Sequence, residues 1–221
     1  MIDGRSFRLD DGREIRLAGI EPVKAGDDAA RARSARALQA IIGGRDVTLH
    51  GEDDVPDRYG RQPAFVFVAG SEIPVQAELL RRGEALYSAT VADKDCAAAL
   101  AAAEASARKT NFGTWAEPTA IKSAESPGDI LAEAGRFTVV EGRVLSVRQA
   151  RATTYLNFGR NWTRDFAATI SRRIIPAFES ANLGPKSLEN RRIRVRGVVS
   201  SRRGPRIELL RVGQIEVLGG K

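Results

Sequence analysis

RLAGIEPVK at residues 16–24 and DRYGR at residues 57–61 are the two stretches on which the reading of this chain turns. The first is a short apolar strand that opens on Arg16 and closes on Glu21. The second sets Arg61 in a turn. Two arginines and one acid so arranged describe a place where a phosphate is held, because the planar guanidinium matches phosphate oxygens bidentately. For Arg16 and Arg61 the structural alternative is pairing with Glu21 or Asp57 to pin a turn. In DRYGR, Gly60 supplies an unusual backbone angle.

Outward from the first stretch, residues 2–9 (IDGRSFRL) and 13–20 (REIRLAGI) alternate polar and apolar around Asp10-Asp11-Gly12, which predicts a β-hairpin. Residues 27–42 read as a capped helix with Leu38, Ile41 and Ile42 on one face and Gly43-Gly44 as its stop. A strand at 46–50, an acidic loop at 52–56 and a strong strand at 64–69 (AFVFVA) follow. Residues 75–82 form a short helix and 85–89 an extended segment. Asp93 or Asp95 then caps an alanine-rich helix that runs to about residue 109 and ends at Asn111-Phe112-Gly113, with Trp115 packing back.

Residues 118–135, with Pro118, Pro127, Gly128 and Gly135, read as a linker holding one helical turn near 130–134. The remainder, 136–221, is mostly β. Strands at 137–147, 153–158 and 165–171, a helix at 174–181, and strands at 192–200 and 206–218 give the order of a five-stranded OB-type barrel.

Charge divides along the same line. Residues 1–120 hold 16 Lys or Arg against 19 Asp or Glu, and residues 121–221 hold 19 against 9, so the net +7 comes from the second half. A basic, arginine-dominated half is the footprint of a protein that meets nucleic acid or another polyanion, since neutralised phosphates release counterions. A merely soluble arginine-rich surface is the alternative. One cysteine, Cys96, excludes an internal disulfide and a cysteine-based zinc site, and the lone His50 excludes paired-histidine chemistry.

No apolar run reaches the roughly 18 residues of a membrane span. Strand-like sequence follows Met1 directly, so the chain as given reads as cytoplasmic. An export signal upstream would make it periplasmic or secreted. Oligomeric state is not legible.

Residues 1–117 resemble the staphylococcal nuclease (thermonuclease-like) family. The resemblance rests on Asp3-Gly4 in the first strand, Arg16-Leu17-Ala18-Gly19-Ile20 before an acid, DRYGR before a strand, VQAELLRRG at 75–83, and Gly113-Thr114-Trp115 closing a helix. Residues 136–221 are similar to the basic OB-like extension of some bacterial thermonuclease-like proteins, through GRVLSV (142–147), TYLNFG (154–159), Asp165-Phe166 and RIRVRGVV (192–199). The resemblance implies an α+β, mainly β protein: an OB-type barrel with packed helices over 1–117, the linker, and a second OB-like barrel.

In that family calcium is held mainly by two aspartates and a backbone carbonyl, a glutamate helps activate water, and two arginines bind the scissile phosphate. Arg16 and Arg61 match the arginines. Arg5 stands at the first aspartate, Glu21 at the second, and Lys24 or Val23 at the base. Calcium takes six to eight oxygen ligands, and a guanidinium competes for Glu21, so the expectation is no metal, no cofactor, and Arg16, Glu21 and Arg61 as the remnant of a cleavage site. Asp3, Asp27 or Asp28 swinging in would be a rescue.

The expected nucleic-acid contacts are Arg5 and, in the second half, two sets. Tyr155, Phe158, Trp162 and Phe166 interleave with Arg151, Arg160 and Arg164, as in a base-stacking platform. Strand alternation sends Tyr155 and Phe158 to opposite faces, so one of them belongs to the core. Arg191, Arg192, Arg194 and Arg196, with Arg202, Arg203 and Arg206 in the next turn, form the strongest basic run. A charged edge that discourages strand pairing is its structural alternative. The reading is therefore a thermonuclease-like binder of nucleic acid or phosphate polymer with weak or absent cleavage. A divergent phosphodiesterase and an envelope or protein-interaction scaffold are the alternatives.

Overall fold

The hairpin forms as β1 (Ser6–Arg8) and β2 (Glu14–Leu17), with Ser6 opposite Arg16, in the computed structural model, which describes residues 1–23, 28–51, 55–201 and 203–219. Alternation along β2 turns Ile15 and Leu17 inward, fully buried, and leaves Glu14 and Arg16 on the outer face. Each such buried aliphatic chain contributes about 2 kcal/mol of transfer free energy.

At Gly19 the chain reverses into β3 (Ile20–Pro22). This residue has φ +78°, and a Cβ there would meet Leu100 Cδ1 and Val91 Cγ2 at 2.7 Å, so the turn takes glycine for conformation and for space. α1 (Asp28–Ile42) buries Leu38, Ile41 and Ile42 as its spacing predicts. β4 (Val47–His50) and β5 (Arg61–Val68) follow. The sheet order is β1-β2-β5-β4, with β5 parallel to β2 and antiparallel to β4.

α2 (Val75–Arg81) lies against β5, where the buried Gln76 amide donates to the Ala64 carbonyl at 2.8 Å and accepts from the Val66 N–H at 3.3 Å. β6 (Ala85–Tyr87) pairs with β3, and α3 (Lys94–Lys109) is capped by Asp93 rather than Asp95, the Asp93 carboxylate accepting from Cys96 N–H. These elements form one compact unit, Met1–Glu117, and Pro118–Lys221 form another.

In the second unit the segment read as a linker is structured. β7 (Lys122–Ser123) runs parallel to its neighbour β8 (Phe137–Arg143), and α4 (Pro127–Leu131) buries Ile130 completely in the core that Ala124 also joins. The helical turn starts earlier than expected because Pro127 opens it, where a missing N–H costs no hydrogen bond.

Then come β9 (Ser146–Ala150), β10 (Thr153–Asn157), β11 (Ala167–Ser171), α5 (Ile175–Ser180), β12 (Arg192–Ser200), β13 (Arg206–Leu209) and β14 (Ile215–Val217). β9, β10 and β11 are an antiparallel meander, β13 is parallel to β11, and β12 pairs antiparallel with β13, β14 and β8. Only Val144 and Leu145 separate β8 from β9, so they act as one bent strand that pairs with β12 at one end and β10 at the other. That closes the ring into the five-stranded OB arrangement. α5 plugs it with Phe178, fully buried.

The first unit repeats part of this order. β1, β2, α1, β4 and β5 correspond to β10, β11, α5, β12 and β13, down to the parallel pairing of the second strand with the last.

Candidate phosphate-binding site

β2 presents Arg16 outward, and the register that sets Glu14 opposite Arg61 and Arg16 opposite Pro63 puts Arg61 on the same face, at the start of β5. The glycine turn after β2 brings Glu21 back over this face. Arg5, just before β1, completes the group. One Glu21 oxygen accepts from Arg5 Nη1, and the other accepts from Arg16 Nη2 at 3.2 Å.

Arg61 is held by Asp57. Its Nε and Nη2 donate to Asp57 Oδ2 at 3.1 and 2.9 Å, while Asp57 Oδ1 accepts from the Arg61 and Tyr59 backbone N–H groups. Gly60, at φ +78°, lets this turn close. Burial alone would raise the Asp57 carboxyl, but the hydrogen bonds from Arg61 and Tyr59 outweigh it and hold the group down to about 2. Arg16 Nη1 lies 4.0 Å from the same Asp57 oxygen. The cluster thus sets three guanidiniums around Glu21 and Asp57, with the Asp3 carboxylate close enough to act on Arg5.

Its donors are not all spent. The Nε atoms of Arg5 and Arg16 are buried and, among the described residues, have no hydrogen-bond partner. Burial pushes the Arg5 guanidinium below its usual value. The Glu21 carboxylate opposes that, and the neighbouring Arg16 cation adds to it. A buried N–H without an acceptor costs about 1–3 kcal/mol, more when charged, so the group gains from any anion that reaches it.

Both Glu21 oxygens already serve guanidiniums, Asp3 accepts from the Arg5 backbone N–H, and among the described residues no three acidic, histidine or cysteine side chains gather into a metal-holding set. Lys24 and Asp27 lie outside the described residues. Asp28 pairs with Arg31 on α1.

The second-unit residues separate into distinct groups. Phe158 and Phe166 are core, 5% and 1% exposed and packed on each other, which removes both from any binding face. Tyr155 is half-buried on the outer face of β10, Trp162 is 57% exposed, and Arg160, Arg164 and Arg203 are exposed. In β12 the basic run is mostly structural. Arg194 is clamped between Glu141 of β8 and Glu216 of β14, its cross-strand neighbours, at 3.0 and 2.7 Å, and Arg192 also pairs with Glu141. Arg196 is buried, so its expected contact with a ligand is corrected. Arg202 lies outside the described residues.

Sequence reasoning passed over Arg148 and placed Arg206 only in the turn after the basic run. Both flank the Tyr155 face, and the signal for them was the strand parity already used to place Tyr155. Among the described residues no helix is long and apolar enough to cross a membrane.

Residues 14–117 match the model of a family described as staphylococcal nuclease homologue. No curated protein matches the chain.

Proposed function

With residues 14–117 belonging to the staphylococcal nuclease homologue family, we propose that this protein binds nucleic acid, or a phosphate polymer of like charge, without calcium-dependent cleavage. The observation that carries the reading is the Arg5, Arg16 and Arg61 cluster, three guanidiniums drawn together on one face, whose buried Arg5 and Arg16 Nε–H groups lack acceptors among the described residues.

Arg16 and Arg61 share one face of parallel strands, which suits two guanidiniums that grip successive oxygens of a phosphodiester. Cleavage asks for more: a nucleophile in line, a base to take its proton, and charge stabilisation that grows in the transition state. Arg5 and Lys24 stand where the family has carboxylates, and neither takes a proton from water at neutral pH. Glu21 acts here as an internal counterion that a phosphate must partly displace.

The experiment pairs fluorescence anisotropy of labelled oligonucleotides across a salt series with plasmid and single-strand digestion, with and without calcium. Binding that weakens steeply with salt, is reduced about 5–50-fold by Arg16→Ala, and comes with no calcium-dependent digestion supports the proposal. The second reading, a divergent phosphodiesterase, is favoured by family membership. It prevails if the protein digests DNA and a natively folded Arg61→Ala variant does not. Affinity that is absent or independent of salt assigns the protein to an interaction scaffold instead.

A further inference from the structure

We propose that the second unit carries a nucleic-acid site of its own, which takes unpaired bases of a single strand on the row Tyr155, Arg206, Arg203, Trp162. The polymer's identity rests on the polyanion reading above. The residues are a different set.

The row is continuous. The Arg206 guanidinium carbon lies 5.4 Å from the Tyr155 ring centre, Arg206 Nη2 donates to the Arg203 carbonyl at 3.1 Å, and the Arg203 guanidinium carbon lies 5.8 Å from the Trp162 ring. Two arginines, linked through the Arg203 carbonyl, therefore lie between a tyrosine and a tryptophan ring across strands β10 and β13 and the two turns beside them. Arg148 and Thr169 flank Tyr155 in register on β9 and β11.

Trp162 is exposed on a loop that is tied rather than loose. The Asp165 carboxylate accepts from Asn161 N–H at 2.8 Å, the Asn161 carbonyl accepts from Asp165 N–H at 2.8 Å, and the Asn161 side-chain oxygen accepts from the Thr163 hydroxyl and N–H. Gly159 leaves the room for this knot, since a Cβ there would lie 2.0 Å from Asp165 Oδ2. An indole held out into water by an ordered loop forgoes burial and gains it back when a base covers it.

Charge selects the ligand. The second unit holds 19 Lys or Arg against 9 Asp or Glu. Glu141 and Glu216 are spent on Arg192 and Arg194, and Asp165 is turned into its own loop. Arg148, Arg160, Arg164, Arg203 and Arg206 line or neighbour the row with no ion-pair partner among the described residues. A duplex keeps its base faces stacked on each other, and polyphosphate has none. Only a single strand offers both the phosphates and the π-faces this row can use.

The test uses the full chain and its two tryptophans. Trp115 is 6% exposed in the first unit and Trp162 is 57% exposed in the second, so the difference between wild-type and Trp162→Phe emission reports on this site alone. Titration is with oligothymidylate, a duplex of equal length, and polyphosphate. The expected result is quenching of Trp162 by the single strand, at least tenfold preference over the other two, a loss of about 5–100-fold with Trp162→Ala, a several-fold loss with Arg203→Ala, retention with Tyr155→Phe, and quenching that persists in Arg16→Ala. Equal affinity for duplex or polyphosphate, or single-strand binding that Trp162→Ala leaves unchanged, overturns the proposal. If Arg16→Ala abolishes all binding and Trp162→Ala none, this inference fails and the first-unit reading stands. The reverse pattern leaves this inference standing and removes the other.

Discussion

Glu21→Gln separates a binding site that carries an internal counterion from a cleavage site that needs a carboxylate. Glu21 is 20% exposed and divides its two oxygens between Arg5 and Arg16. A phosphate gripped by Arg16 sits about 5 Å from that carboxylate, and at an effective dielectric of about 20 two unit charges so spaced repel by roughly 3 kcal/mol. Partial exposure and rearrangement reduce this to about 1–2 kcal/mol, or about 5–30-fold in affinity. The same substitution removes the main counterion of the part-buried Arg5, which costs about 1–3 kcal/mol of stability.

Affinity and stability should therefore move in opposite directions. Anisotropy with a labelled oligonucleotide reads the first, and a thermal melt reads the second. The affinity gain should shrink at high salt, because part of the repulsion runs through solvent. Unchanged or weaker binding in a variant that keeps its circular dichroism spectrum would falsify the counterion argument. Calcium-dependent digestion by the wild type that disappears in Glu21→Gln would show the carboxylate working in chemistry.

Three further outcomes follow from particular contacts. Asp57, depressed from 3.8 to about 2, adds stability that is full above about pH 4 and is lost as pH falls toward 2; Asp57→Asn should flatten that part of the stability profile by about 1–2 kcal/mol in acid titrations followed by fluorescence. Ile130→Ala should cost about 2–5 kcal/mol in urea melts because Ile130 is fully buried, whereas Leu131→Ala, at a 43% exposed neighbour, should cost under about 1 kcal/mol. Glu104→Ala leaves the Tyr87 N–H and Arg108 without the carboxylate they share, at 2.8 and 3.0 Å, and should cost about 3–5 kcal/mol by the same measurement.

The strands were legible because alternation is local. Ile15 and Leu17 against Arg16, and Ile193 and Val195 against Arg192 and Arg194, follow from period two alone. The same parity divided Tyr155 from Phe158 and left one of them to the core. What parity does not reveal is who stands across the sheet. Arg194 read as a free cation because Glu141 and Glu216 lie far along the chain and meet it only through pairing with β8 and β14. The segment 118–135 read as a linker because its prolines, glycines and serines are spread among only three large apolar residues, Ile121, Ile130 and Leu131. Ile130 and Ala124 suffice to anchor it once the barrel supplies a core. At the first-unit site the arginines and Glu21 were visible as residue types. Their commitment to one another came from the Gly19 reversal, which folds Glu21 back over β2.

The correspondence between the units reaches the sites themselves. Arg61 is the first residue of β5, in register with the first residue of β2, and Arg206 is the first residue of β13, in register with the first residue of β11. Each follows a turn whose glycine, Gly60 or Gly204, has positive φ. Each guanidinium also lies near a tyrosine ring, Arg61 at 5.0 Å from Tyr59 and Arg206 at 5.4 Å from Tyr155. The same topological place thus holds a tyrosine-backed arginine twice, and what differs is its counterion. Arg61 gives two donors to Asp57, and Arg206 gives one to a neutral carbonyl. A phosphate must compete with a carboxylate at the first position and with no charge at the second. Asp57→Asn should therefore raise the first unit's share of oligonucleotide binding, measured as the part of the affinity that Arg16→Ala removes. An unchanged share would mean that Arg61 serves its turn and not the ligand.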